Sequence, residues 1–164
     1  MSNATEAPMR ERVAQALYNK MFTLGGLDRG EEVIAVVDDL VRRFGNATDT
    51  PIREKVAIGL YNKGVTLNSL GRREDAIAVY DELIDRFGNT TEAPLREEVA
   101  AALYNKGIAL GELGRGDSAI AAYHDLVSRF GSATEAPIRE QVAAARVELS
   151  RLRRRPDRPV WKRT

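Results

Sequence analysis

A chain of 164 residues, 43% of them apolar, is long enough for one domain with a continuous core. Its 25 basic and 24 acidic residues leave a net charge of +1, so the molecule as a whole carries no field that would draw it to nucleic acid or anionic lipid. With no cysteine and no apolar run near the roughly 18 residues of a membrane span, disulfides, thiolate metal sites and a membrane partner are excluded. Residues 1–4 carry no signal-peptide core, and a cytoplasmic location is expected.

Internal repetition organises the chain. Arg-Phe-Gly closes at Gly45, Gly88 and Gly131, a period of 43 residues, and Leu-Tyr-Asn-Lys recurs at 17–20, 60–63 and 103–106. Thr-Glu-Ala-Pro or its variant starts at Thr5, Thr48, Thr91 and Thr134. Three units, 4–46, 47–89 and 90–132, are therefore expected, followed by a capping helix over 133–155 and a basic tail over 156–164.

The first unit, 4–46, is the most divergent of the three. In the second unit Thr48 is placed to N-cap a helix running to about Leu70, with Asp49 and Pro51 in its first turn. Val56, Leu60, Leu67 and Leu70 form one stripe at helical period, and Gly71 can supply the left-handed residue that ends the helix. A second helix is expected from near Arg73 to Gly88, with Ala76, Ile77, Tyr80, Leu83, Ile84 and Phe87 on its apolar side. The third unit repeats this pattern. In the fourth segment Ile138, Val142, Ala145, Leu149 and Leu152 keep one apolar stripe, while Arg146 and Arg153 stand where Leu60 and Leu67 stand in unit two. This helix is expected to cover unit three and, with arginines at those two positions, to act as the polar cap that a repeat array needs for solubility.

Leu60, Gly64, Leu67, Gly71, Ala76 and Tyr80, repeated as Leu103, Gly107, Leu110, Gly114, Ala119 and Tyr123, resemble the tetratricopeptide repeat signature. The resemblance implies an all-α, right-handed α-α solenoid of three helix pairs plus the C-terminal capping helix. The first unit departs from it, with Met21 for the glycine, Asp28 at the turn, Val33 for the alanine and Val37 for the aromatic residue, and looser packing of its two helices is expected. The unit also exceeds the family's usual length of about 34 residues, and the excess mostly lengthens the first helix by about two turns.

No catalytic constellation emerges, so the chain is not expected to be an enzyme or to carry a cofactor or metal. The one histidine, His124, points away from the apolar stripe and reads as a solvated surface residue; with no cysteine beside it there is no zinc set, triad or cysteine–histidine pair. Gly25 and Gly26 follow no strand and form no phosphate loop.

The recurring polar residues carry the functional reading. Tyr18, Asn19 and Phe22, then Tyr61, Asn62, Val65 and Ser69, then Tyr104, Asn105 and Ile108 fall on the outer face of successive first helices. In the resembling family this face lines the concave groove that takes an extended peptide, so the chain is expected to be a scaffold binding a peptide or helical segment of a protein partner. The amides offer both donor and acceptor and the tyrosines offer amphipathic area. The competing reading is that the Asn and Tyr side chains bond across neighbouring helices and stiffen the array. A clamp for a peptide C-terminal carboxylate, known in the family, is disfavoured: Asn62 matches one clamp residue, but the partner positions hold Tyr18, Phe22, Ala101 and Asn105, and the groove reads as neutral and apolar. Lys63 is read as structural, reaching Asp39 or Glu82.

Two alternatives remain. Self-assembly into a homodimer through the uncapped first unit would use Met9, Val33, Val36 and Val37 as exposed apolar residues. Weak nucleic-acid binding would use the C-terminal 14 residues, where seven basic side chains against Asp157 give +6 beside Trp161 and leave −5 for the rest; the reading preferred here is that these arginines complement the last helix dipole.

Overall fold

A computed structural model describes residues 3–154, and all the regular structure it describes is helical. Seven helices follow in order: α1 (Asn3–Gly26), α2 (Gly30–Phe44), α3 (Thr50–Ser69), α4 (Arg73–Phe87), α5 (Ala93–Glu112), α6 (Gly116–Phe130) and α7 (Ala136–Arg153). The second helices are each 15 residues long and α3 and α5 are each 20, so the extra length of the repeat does fall on the first helices. The basic tail and its tryptophan lie outside the described residues.

Each helix packs only against its neighbours one or two places away, as a linear repeat array requires. The first helices α1, α3, α5 and α7 touch one another in series, whereas α2, α4 and α6 touch only first helices. The layer that stays in contact is the inside of the curve, so α1, α3, α5 and α7 line the inner face. The core lies between the layers. It holds Leu60 and Leu67 against Ala76, Tyr80 and Leu83 in the middle pair, with Leu103, Leu110, Ala119, Tyr123 and Leu126 repeating the set.

One close approach sets the geometry of these pairs. A Cβ placed on Gly64 would stand 2.3 Å from Tyr80 Cε1, and one on Gly107 would stand 2.5 Å from Tyr123 Cε1. Each glycine therefore admits the aromatic ring of the partner helix. In the first pair the sizes are exchanged: Met21 replaces the glycine and Val37 the ring, and both are buried in a common cluster with Leu24, Val33 and Val36. The large side chain comes from the opposite helix, so the departure of this unit from the repeat pattern is a compensated one.

The turn position also recurs. Gly71 and Gly114 hold φ of +77° and +74°, and Asp28 takes the same role at +56°, a conformation that aspartate tolerates better than most L residues.

Several expectations need correction. Thr48 does not cap α3: the helix starts at Thr50 with Asp49 in the cap position and no side-chain cap bond. Capping from Thr48 would put Pro51, which has no N–H, at the third helical position where a cap oxygen finds its donor. Leu70 lies past the end of α3 and is exposed, because the stripe ends with Leu67. Val33, Val36 and Val37 are buried under α1 and cannot form an exposed assembly patch; of that set only Met9 is exposed. His124 is exposed as expected, and its Nε2 lies 3.0 Å from Arg153 Nη2.

Candidate functional site

Three residues recur on each first helix at the 43-residue period: Tyr18, Asn19 and Phe22 on α1; Tyr61, Asn62 and Val65 on α3; Tyr104, Asn105 and Ile108 on α5. Phe22 is 48% exposed and Val65 37% exposed, while Ile108 is partly covered. Phe22 stacks edge-on against Tyr18 with ring centroids 4.8 Å apart. Apolar side chains thus recur along the first-helix layer, with Phe22 and Val65 open to solvent and Ile108 partly so.

The asparagines do not behave alike. Asn105 Nδ2 donates to Tyr61 Oη across the α3–α5 joint at 2.9 Å, which is the bond expected if the residues stiffen the array. Asn62 instead donates back to the Ile58 carbonyl of its own helix at 2.8 Å, and Asn19 accepts from Gln15 Nε2 at 2.8 Å. Ser69 closes on the Val65 carbonyl at 3.0 Å. One rung of the ladder is an interhelical tie, and the other two are held within their own helices. Tyr61 also leans on Tyr80, and Tyr104 on Tyr123, with centroids 6.4 and 5.7 Å apart. Burial raises the phenol pKa of Tyr61, despite the opposing hydrogen bond from Asn105, so these rings stay neutral.

The face continues onto α7, which the sequence reading left out. Adding the period to Tyr104, Asn105 and Ile108 reaches Val147, Glu148 and Arg151. Tyr104, Ile108, Glu112, Tyr123, Glu148 and Arg151 line one concavity of about 600 Å³ between α5, α6 and α7. Arg151 Nη1 donates to Glu148 Oε1 at 2.9 Å, and Arg73 Nε donates to Glu112 Oε2 at 2.6 Å. The same 43-residue period that relates the first three rungs gives the fourth directly from the sequence.

Charge therefore enters at this end, and the description of the face as neutral and apolar holds only for the α1–α3 part. Glu98 adds to it. It lies two turns before Asn105 on the same stripe, close enough to Tyr61 to affect its titration. Desolvation, with Glu97 adding like charge, pushes its carboxyl from 4.5 up to about 7.

The lysines belong to the joints. Lys63 Nζ meets Asp38 Oδ1 at 2.5 Å and Lys106 Nζ meets Asp81 Oδ1 at 2.5 Å, each reaching the second helix of the preceding pair. This corrects the choice of Asp39 or Glu82, whose carboxylates are engaged by Arg42 and Arg43 and by Arg86 on their own helices. Further ties across the joints include Arg53 with Glu92, and Arg96 with Glu135 at 3.0 Å, each guanidinium also lying over a phenylalanine ring, Phe87 or Phe130.

Among the described residues no cluster of His, Asp and Glu could hold a metal ion, and no helix is long and apolar enough to cross a membrane.

The comparisons with known proteins agree with this architecture. The crystal structure of a TPR-like protein from Chlorobium tepidum superposes with a TM-score of 0.65, at 16% identity, over 88% of this chain and 98% of that one. No curated protein matches the chain. The tetratricopeptide repeat family model matches residues 61–134, the stretch where the Gly64/Tyr80 and Gly107/Tyr123 pairs sit. Residues 61–134 thus match the tetratricopeptide repeat family, and the chain folds as an all-α helical repeat solenoid of that kind.

Proposed function

We propose that the inner face of α1, α3, α5 and α7 binds a segment of another protein. Tetratricopeptide repeats generally mediate protein–protein interaction, and the finer reading rests on one observation. Apolar side chains at equivalent positions, Phe22, Val65 and Ile108, stand on the inner face of successive helices and lead into a concavity edged by Glu148 and Arg151. An occupant that buries these side chains removes apolar area from water along the whole array. Glu98, half-buried and without a salt-bridge partner among the described residues, favours an occupant with a basic side chain at that level.

A peptide library selected on the full chain tests this reading. Selected sequences should combine apolar residues with a lysine or arginine, and Phe22→Asp together with Val65→Asp should weaken them at least tenfold. Selected peptides that bind the double variant as tightly as the parent chain would contradict the proposal.

A further inference from the structure

A separate surface, at the first end of the array, has its own internal template. Ile52, Val56, Gly59 and Lys63 of α3 face the preceding helix α2, where Gly59 approaches Leu40 and Val37 and Lys63 pairs with Asp38. Leu95, Val99, Ala102 and Lys106 of α5 repeat the set against α4 with Asp81, and Ile138, Val142, Ala145 and Leu149 repeat it on α7 against α6. The apolar members are buried in every case. The corresponding residues of α1 are Met9, Val13, Ala16 and Lys20, and all four are exposed, Met9 at 65% and Val13 at 37%.

The fourth position says what the face expects. A lysine stands there where the facing helix carries aspartate, as in Lys63 with Asp38 and Lys106 with Asp81. Where the facing helix carries His124 at the aspartate's place, the lysine is replaced by Leu149. Lysine and aspartate thus change together within the chain, and Lys20 of α1 has retained the lysine with no ion-pair partner among the described residues.

We propose that Met9, Val13, Ala16 and Lys20 dock an amphipathic helix of a second protein, one that sets a ridge of aliphatic side chains on α1 and an aspartate opposite Lys20. A second copy of this chain does not supply that helix. Its α2, α4 and α6 are each held between two first helices, its α1 carries the same exposed lysine, and the exposed basic residues of α7, Arg146 and Arg153, are of the same sign as Lys20. The surface is distinct from the inner face, so its occupancy is independent of the function proposed above.

The test uses the full chain and a labelled peptide with the α4 sequence, residues 73–87, bridged between positions 74 and 78, which are exposed in α4. Fluorescence anisotropy should show saturable binding. Lys20→Glu should weaken it at least fivefold, and a peptide carrying Asp81→Lys should recover the loss on the Lys20→Glu chain. Val13→Glu should weaken binding at least tenfold, while Phe22→Asp leaves it unchanged. All these sites are exposed, and unchanged melting of each variant by circular dichroism verifies that the fold persists. Absent binding, or binding indifferent to Lys20→Glu and Val13→Glu, overturns the proposal. So does a concentration-dependent dimer in light scattering that Val13→Glu abolishes, since the face would then belong to a second copy.

Discussion

Replacing Gly64 by methionine and Tyr80 by valine, singly and together, tests the account of how the helix pairs fit. The structure leaves no room for a Cβ at Gly64, since it would fall 2.3 Å from Tyr80 Cε1, about 1 Å or more inside normal carbon contact. Tyr80 is almost fully buried, so its ring has little freedom to give way. Overpacking of this kind costs about 1–3 kcal/mol, of which the better helix propensity of methionine returns somewhat under 1 kcal/mol. Tyr80→Val alone empties most of the ring's volume and is expected to cost about 3 kcal/mol. The double variant copies the Met21 and Val37 arrangement of the first pair, where the large residue comes from the other helix. It should recover about 2 kcal/mol relative to the sum of the single effects. Urea unfolding followed by circular dichroism, with the slope held constant between variants, measures each term. Single effects that add within about 0.5 kcal/mol would refute the reasoning, because they would show that the two positions do not share one space.

Other outcomes follow from single residues. Glu98 has its carboxyl raised from 4.5 to about 7 by desolvation, so the folded state binds its proton more tightly than the unfolded chain, and stability falls as pH rises between those values. The full shift corresponds to about 3 kcal/mol, and partial solvent access reduces the expected effect to about 1–2 kcal/mol; Glu98→Gln should match the parent near pH 4 and exceed it above pH 7 in urea midpoints. Asn105→Ala removes the bond to Tyr61 Oη and should cost about 1 kcal/mol in thermal unfolding, whereas Asn62→Ala, which removes only a bond within its own helix, should stay within about 0.5 kcal/mol. Gly71→Ala meets no neighbouring atom but must hold φ of +77°, and a loss of about 1 kcal/mol in the same assay is expected from backbone strain alone.

Much of the fold was legible because the repeat makes each assignment three times. The buried stripe of α4, the left-handed turn at Gly71 and the buried face of α7 all follow from periodicity, which reports which residues share a side. Periodicity does not report what covers that side. It therefore misjudged Val33, Val36 and Val37, which α1 buries, and Leu70, which stands beyond the helix end. Nor does it fix side-chain partners across a joint, where the choice between Asp38 and Asp39 turns on a rotation of about 100° around α2. The inner face was visible as a recurring Tyr-Asn pair, but the differing bonds of Asn62 and Asn105 depend on local distances that equivalent residues in a repeat need not share.

Amide and methyl chemical-shift mapping of a library-selected peptide on the isotopically labelled full chain tests the central claim most directly. The account predicts saturable shifts at Phe22, Val65, Ile108 and Arg151 on the inner layer, with α2, α4 and α6 little affected on their outer sides. Shifts confined to those outer helices would contradict it.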